Sequence, residues 1–227
     1  MFFNIFRSSI GKKTVMAVTG LGLLGFVIVH LLGNLQIFLG PAWLNGYSEH
    51  LEDLPFLLIP ARIVLASMLL VHMATAMVLT VQNKRARPVP YSAEDTVQAT
   101  LASRTMIFTG SAVLLFIIYH LLHYTWGIAH PQYFHFEDSE GHHDVYSMVV
   151  LSFQDIKISA TYLLALLVLS VHLGHGLSSF LQSLGLTPSG ATKKIRKIGT
   201  ALGWLIFAGY ASIPVAVLSG LLKPGGG

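Results

Sequence analysis

Four histidines occur singly inside long apolar segments of this sequence. They are His30, His72, His120 and His172. A polar or ionisable side chain inside such a segment is rare, faces the interior of a helix bundle and marks a candidate functional site. Because an imidazole can bind a metal or carry a proton, metal ligation and proton transfer are the two kinds of chemistry that these residues offer.

The text around two of these histidines repeats. Residues 19–34 read TGLGLLGFVIVHLLGN, and residues 109–124 read TGSAVLLFIIYHLLHY. In both segments a Thr-Gly pair is followed, after the same spacing, by His-Leu-Leu. The repeat predicts that the two segments have equivalent roles in one structure.

The composition places these segments in a membrane. Hydrophobic residues make up 53% of the 227 residues, charged residues make up 11%, and the mean hydropathy is +0.66. Backbone polar groups in lipid must bond within their own segment, so helices are expected. The sequence therefore predicts an all-α membrane protein. It forms one integral domain over 1–227, a bundle of five transmembrane helices at about 14–39, 57–82, 104–128, 156–186 and 198–222.

The distribution of charge predicts the orientation of the bundle. Lysines and arginines cluster before the first span, between spans two and three, and between spans four and five, whereas the other two loops are acidic. The positive-inside rule then gives a cytoplasmic N-terminus and a C-terminus outside. The first apolar run is too long for a signal peptide and is expected to be retained. The net charge of +4 lies beside the spans, which argues against nucleic acid as a partner.

Depth sorts the four histidines into two pairs. Counted at 1.5 Å per residue from the cytoplasmic edge, His30 and His120 lie about 24–26 Å deep, near the outer face. Counted from the outer edge, His72 and His172 lie about 18–23 Å deep, at or below the midplane. We call His30 and His120 the outer pair, and His72 and His172 the inner pair.

Two imidazoles that face each other across a bundle suit haem b. The chain has no cysteine, which excludes thiolate-held iron–sulfur clusters and c-type haem attachment on this chain. Bis-histidine ligation fills both axial positions of the iron, so such a haem carries electrons. Glycines near the ligands would let a flat ring approach the backbone, and candidates are Gly20, Gly22, Gly25, Gly33, Gly174 and Gly176.

Taken together, these features resemble a known family. The four single histidines, the five spans, and a first outer loop with Asn45 and Leu54-Pro55 resemble the dihaem cytochrome b membrane anchor of succinate:quinone oxidoreductases, which include fumarate reductases. The resemblance implies two b haems, with the outer pair on one and the inner pair on the other. It also implies a flavoprotein and an iron–sulfur subunit as partners, and a quinone, expected to be menaquinone, as membrane substrate.

Under this reading the chain is an electron-transfer subunit without dehydrogenase chemistry of its own. The expected location is the bacterial cytoplasmic membrane, and a dimer of the whole complex is compatible with the resemblance. Two alternatives stay open. One is the cytochrome b subunit of a different respiratory dehydrogenase, such as a hydrogenase or formate dehydrogenase. The other is a proton-coupled transporter with a histidine relay, which proline-free interiors of the first four spans disfavour.

Further polar residues form weaker candidates. The first outer loop offers stacking and proton-accepting groups for a quinone at Asn45, Tyr47, Glu49 and Glu52, beside Trp43 and His50, but a plain surface segment explains it equally well. His123 and His175 follow proposed ligands by three residues. Each could contact a haem propionate, replace the ligand or lie at the interface.

Two further patterns favour the simpler interpretation. The second outer loop carries His130, His135, His142, His143 and Asp144, but their spacing matches no zinc motif, and a solvated loop is expected. Residues 20–25, GLGLLG, match the dinucleotide-binding pattern in form. No strand precedes them, so close packing of a helix or a haem is the better explanation.

Overall fold

The computed structural model describes residues 8–86 and 101–224, the latter without the side chains of 101–103. This part of the chain contains helices and turns and no strand. The α-helices are α1 (Ser9–Asn34), α2 (Pro41–Glu52), α3 (Pro55–Arg85), α4 (Leu101–Tyr124), α5 (Val145–Gln154), α6 (Ile156–Ser183) and α7 (Thr192–Leu218). Single 3-10 turns at Leu35–Leu39 and Pro131–Tyr133 follow α1 and precede α5.

Five of these helices are long and apolar enough to cross a membrane: α1 with the turn after it, α3, α4 from residue 104, α6 and α7. The chain is therefore a multi-pass helical membrane protein. The predicted spans agree with these helices to within a few residues, except that α7 begins six residues before its predicted span. The polar segment at 91–100 lies outside the described residues.

Local sequence explains where the helices begin. Ser8 caps α1 by accepting a hydrogen bond from the Gly11 amide at 2.9 Å, and Asp155 caps α6 by accepting from Lys157 at 2.8 Å. Pro55 starts α3, where its missing amide hydrogen costs nothing. Because α3 begins there, Pro60 lies inside the helix, so the expected absence of proline from the first four spans is wrong.

The long helices are packed unequally. The helix α1 lies against α3 and α6, α4 lies against α6, and α7 packs most extensively against α6, whereas α3 and α4 touch each other sparsely. In the most apolar stretch of α7, 39% of the residues are buried, compared with 6% for α3 and none for α4. Protein atoms therefore fill little of the space around α3 and α4.

Small residues bring α6 and α7 together. A Cβ atom added to Gly199 would lie 2.5 Å from the carbonyl oxygen of Gly174, and one added to Gly203 would lie 2.5 Å from that of Ser170. Glycines four residues apart let two helix backbones approach closely within a membrane. This crossing makes α6 and α7 the most firmly packed pair in the bundle.

The main apolar core lies at one end of the bundle. It is built from α2, α5, the first turns of α6 and the last turns of α7, and includes Ile37, Tyr146, Val150 and Ile213. The helix α5 is buried along most of its length, although its ten residues are too few to cross a membrane. The core thus closes the end at which α1 terminates and α3 and α6 begin.

The two ends of the bundle differ in charge. Every acidic residue that the structure describes lies at the end closed by α5, which we call the acidic end; Glu94 and Asp95 lie in the masked segment. The opposite end, which we call the basic end, holds the first turns of α1 and α7, the last turns of α3 and the start of α4. Its described basic residues are Lys12, Lys13, Lys84, Arg85, Arg104, Lys193, Lys194, Arg196 and Lys197.

We predict that Gly203→Ala destabilises the bundle, because the added methyl group would force α7 away from the Ser170 carbonyl. Overpacking of this kind costs about 1–3 kcal/mol of unfolding free energy. Thermal unfolding in detergent, followed by circular dichroism, measures the effect. The matched control is Gly46→Ala in the exposed helix α2, where an added Cβ meets nothing within 4 Å. A midpoint that falls equally in both variants would contradict the prediction.

Candidate functional site between the four histidine-bearing helices

The outer pair of histidines meets across the bundle. His30 on α1 and His120 on α4 have ring centroids 5.9 Å apart, with ring planes at 83°. Phe26, one turn before His30 on the same helix, stacks on its ring at 5.2 Å. Both imidazoles are half-buried. The structure therefore brings together the two residues that the depth count pairs.

The inner pair is fixed by hydrogen bonds from neighbouring helices. His72 on α3 has its Nδ1 3.1 Å from the carbonyl oxygen of Met16 and 3.3 Å from the hydroxyl of Thr19, both on α1. His172 on α6 has its Nδ1 3.2 Å from the hydroxyl of Thr109 on α4. The two rings make no direct contact with each other. Each inner histidine is thus held by the helix that carries a member of the outer pair.

These contacts explain the repeat in the sequence. In each copy the threonine bonds the inner histidine of the adjacent helix, and the glycine after it lies beneath the same ring. A Cβ atom on Gly20 would lie 3.1 Å from Cε1 of His72, and one on Gly110 would lie 3.2 Å from Cε1 of His172. The repeated Thr-Gly therefore contacts the inner pair, and the repeated His-Leu-Leu supplies the histidines of the outer pair.

A backbone carbonyl assigns the tautomer of His72. Its Nδ1 lies 3.1 Å from the Met16 carbonyl oxygen, which can only accept, so Nδ1 carries the proton. The Thr109 hydroxyl lies 3.2 Å from both Nδ1 of His172 and the Met106 carbonyl oxygen, so Nδ1 of His172 carries the proton when this hydroxyl donates to the carbonyl. In that arrangement Nε2 keeps its lone pair, and no partner for Nε2 of either ring is found among the described residues. A metal-ligating histidine has this arrangement, with Nδ1–H bonded to an outer acceptor.

The donor set fits a haem better than a chelated ion. Two imidazoles bound to opposite sides of one metal at about 2.0 Å have ring centroids roughly 6 Å apart, close to the separation in the outer pair. Within the described residues, no group of three or more His, Cys, Asp or Glu side chains could hold a metal ion. Each pair supplies only two nitrogens, so a metal held there would need further ligands from outside these side chains, and a macrocycle would supply them.

His123 is placed among aromatic side chains beside the outer pair. It is 1% exposed, and its Nδ1 lies 3.0 Å from the hydroxyl of Tyr162, which lies 3.4 Å from Nδ1 of His120. Its ring stacks on Tyr124 at 3.9 Å and meets His130 edge-on at 4.7 Å. Its Nε2 has no hydrogen-bond partner. His123 thus contacts residues of the aromatic cluster and does not face His30.

Tyr162 links the two histidines of α4. If Nε2 of His120 is the metal-binding atom, its Nδ1 carries the proton and donates to the Tyr162 oxygen. The phenol hydrogen is then free to bond Nδ1 of His123, which leaves the proton of His123 on Nε2. Tyr162 is a further candidate for the site, which the spacing of residues in the sequence did not indicate. Thr19 and Thr109 were visible in the repeat, but their partners were not.

The quinone candidates of the first loop do not form one site. Asn45 is buried, and its amide donates to Asp144 at 2.9 Å and accepts from the Tyr146 amide at 2.9 Å, which ties α2 to α5. Tyr47 packs against the α1 backbone at Gly33. Glu49 pairs with His142 at 3.3 Å on the surface. The structure thus gives Asn45 a packing role, while Tyr47 alone lies against the helix of the outer pair.

The histidines of the second loop have separate partners. Nε2 of His130 lies 3.0 Å from the hydroxyl of Tyr119, and Nε2 of His143 lies 2.8 Å from the carbonyl oxygen of Phe134. His142 lies beside Glu49, and the His135 ring lies edge-on to Phe134. These residues hold the loop to α4 and to itself. They do not converge on one point.

We predict that Asp144→Asn weakens the connection between α2 and α5. Burial opposes ionisation of Asp144, but hydrogen bonds from Ser147 and Asn45, and the nearby His143, together lower its pKa below the ordinary 3.8. Because the pKa of Asp144 is lower in the folded state, the ionised carboxylate stabilises the fold fully above the ordinary pKa of 3.8. This stabilisation is lost as the pH falls through the lowered pKa of the folded state. The variant should unfold more easily by about 1–2 kcal/mol near pH 7.

The measurement is the thermal unfolding midpoint between pH 7 and pH 3. The gap between wild type and Asp144→Asn should narrow as the pH falls through this range. Glu52→Gln is the control, because Glu52 is an exposed carboxylate of the same loop region with no hydrogen bond in the structure. A gap that is constant with pH would contradict the role given to the ionised carboxylate.

Comparisons with known proteins identify no relative. No protein-family model matches the chain, and neither a curated protein nor a solved structure matches it. Functional evidence therefore comes from the chain's own residues. The two histidine pairs are arranged symmetrically, and each inner member contacts a threonine and a glycine of the adjacent helix.

Proposed function

We propose that this chain is the membrane-anchoring, electron-transferring subunit of a succinate:quinone oxidoreductase or quinol:fumarate reductase, with two b haems. His30 and His120 would bind the iron of the outer haem, and His72 and His172 that of the inner haem. The observation that carries the proposal is the facing outer pair at 5.9 Å, together with inner imidazoles whose Nδ1 atoms are fixed and whose Nε2 atoms are free.

When bound, a haem with two histidine ligands supplies one-electron transfer, because both axial positions are filled. The chain's own residues set the conditions for it. Thr19, Thr109 and the Met16 carbonyl hold the inner rings in one orientation, and the Met16 carbonyl sets the tautomer of His72. Since α3 and α4 bury few of their apolar residues against protein, a flat apolar group could lie against them.

The repeat also sets the distance between the two levels. On α1 the contact of Gly20 with His72 marks the inner level, and His30 lies ten residues further along the helix. Ten residues of α-helix span about 15 Å. The same interval separates Gly110 from His120 on α4. Two redox centres at these levels would provide a path along the bundle axis, across much of a hydrocarbon core of about 30 Å.

The orientation and the partners follow from charge under this proposal. The basic end would face the cytoplasm, in accordance with the positive-inside rule, and would meet the flavoprotein and iron–sulfur subunits. The acidic end would face outward, so the C-terminus lies outside. A quinone, proposed to be menaquinone, would exchange electrons with the outer haem beside Tyr47, which packs against α1, while Asn45 would be a structural residue of that end.

We predict about two b haems per purified chain, counted by pyridine haemochrome and by the reduced-minus-oxidised spectrum. Replacing either His30 or His120 by alanine should leave about one haem per chain, with the inner haem spectrum, because one axial nitrogen is lost. His72→Ala or His172→Ala should leave the outer haem. His135→Ala is the control, since it removes an exposed loop histidine.

An absence of haem, or two haems retained in all four variants, would overturn the assignment. Co-purification then distinguishes the respiratory alternatives: a flavin-bearing partner agrees with the proposal, and a nickel or molybdenum enzyme indicates another dehydrogenase. Transport of a solute by the haem-free protein would instead support the proton-coupled transporter.

We predict that Tyr162→Phe keeps both haems but raises the midpoint potential of the outer one. Without the phenol oxygen, Nδ1 of His120 loses its acceptor, so the ligand is less basic and favours the ferric state less. One hydrogen bond of about 1 kcal/mol corresponds to roughly 40 mV for a one-electron couple. Redox titration measures the shift.

Tyr146→Phe is the matched control for this prediction. Tyr146 also buries its ring and donates from its hydroxyl, but to the carbonyl oxygen of Lys223 at 3.0 Å, away from the histidines. A shift of both haems, or an equal shift in the control, would show that the effect of Tyr162 is general to the fold rather than directed at His120.

A further inference from the structure

A groove between α6 and α7 opens on the face of the bundle away from α1. It has a volume of about 250 Å³ and is lined by Ser170, Val171, Gly174, His175, Arg196, Thr200 and Trp204. The helix α1 packs against both α6 and α7 but contributes no residue to the groove. Because the glycine crossing holds the two backbones together at its floor, the groove opens toward the lipid.

Two nitrogen-bearing side chains face this groove without a protein partner. The His175 ring makes no hydrogen bond among the described residues, and the Arg196 guanidinium has no carboxylate partner there. Every acidic residue that the structure describes lies at the other end of the bundle. Arg196 is exposed at the basic end, and His175 is half-buried beside it, so a ligand that enters from the interface with acceptor oxygens and negative charge could pair with both.

The groove has the polarity of an amphiphile. Arg196, Thr200 and Trp204 follow one another at intervals of four residues, so they form a stripe along one face of α7. The stripe is about 12 Å long and runs from the basic end toward the middle of the bundle. It has a charged side chain at the interface, a hydroxyl next, and an apolar ring deepest, opposite Val171.

We propose that this groove binds an anionic phospholipid. The phosphate would lie against Arg196 and His175, and an acyl chain would lie along Val171 and Trp204. Basic pockets between transmembrane helices on the cytoplasmic side are suited to anionic headgroups, and the adjoining Lys193, Lys194 and Lys197 add positive potential at the same end. The proposal does not depend on haem, since the histidine of α6 that is proposed to bind haem iron is His172, which does not line the groove.

The fluorescence of Trp204 tests the proposal. The chain has three tryptophans, and Trp43 and Trp126 lie at the acidic end, so a Trp43→Phe, Trp126→Phe background reports on the groove alone. The full-length protein is placed in nanodiscs that contain brominated phosphatidylglycerol or brominated phosphatidylcholine at the same mole fraction. Quenching by the anionic lipid should exceed quenching by the zwitterionic lipid about twofold.

Variants of α7 identify the source of this excess. Arg196→Gln should remove the twofold excess, because loss of one basic residue near the surface lowers the affinity for the anionic lipid roughly fivefold. Arg196→Lys keeps the charge and should retain most of the preference. Lys194→Gln is the matched control, since Lys194 is an exposed cation of the same turn that does not line the groove. Equal quenching by phosphatidylcholine in all variants verifies that each is folded.

Three outcomes would overturn the proposal. The first is equal quenching by the two lipids in the wild-type protein. The second is an excess that Arg196→Gln leaves unchanged or that Lys194→Gln removes equally. The third is loss of the excess on adding inorganic phosphate or a menaquinone at a concentration below that of the lipid, which would identify a site for a free anion or for a quinone.

Discussion

The hydrogen bond between a threonine hydroxyl and Nδ1 of an inner histidine is the interaction on which the arrangement of this bundle depends. A buried imidazole without a partner is costly in an apolar interior, so the ring must lie where another helix offers a hydrogen-bond partner. Thr19 and the Met16 carbonyl are the partners of His72, and Thr109 is the partner of His172. Glycine after each threonine lets the helices approach closely enough for the bond to form. These polar contacts set the register of α1 against α3 and of α4 against α6 at the level of the inner pair.

The packing of the bundle divides it into a rigid part and an open part. In the rigid part, the backbones of α6 and α7 approach each other at the glycine crossing, and side chains fill the core around α5. By contrast, α3 and α4 bury almost none of their apolar residues against protein. Since lipid is as apolar as leucine, helices in a membrane gain little by burying leucine against each other. Sparse packing of α3 and α4 is therefore tolerated at low cost, and under the proposed function a flat apolar cofactor would supply contacts that the protein does not.

Sequence reasoning predicted the parts of this structure that depend on one physical requirement at a time. Five spans follow from apolar length, and the pairing of His30 with His120 follows from helical rise alone. It missed α5, because ten apolar residues are too short for a span and carry no distinguishing period. It also grouped Asn45 with Glu49 as quinone candidates, whereas the Asn45 amide is used entirely by Asp144 and Tyr146. Such pairings join residues about a hundred positions apart, and composition or spacing within one segment contains no information about them.

The inner and outer histidine pairs differ in how their rings are connected to the rest of the bundle. At the inner level each histidine is held by one short stretch of the adjacent helix, His72 by Met16 and Thr19 and His172 by Thr109, so its orientation is a local matter. At the outer level the phenol of Tyr162 joins His120 to His123, whose ring in turn contacts His130 and the second loop. A rearrangement of that loop would therefore reach His120 through two side chains, whereas no comparable connection leads to His72. Under the proposed function this asymmetry makes the outer centre sensitive to what binds at the acidic end, where the quinone would react, and leaves the inner centre insulated from it.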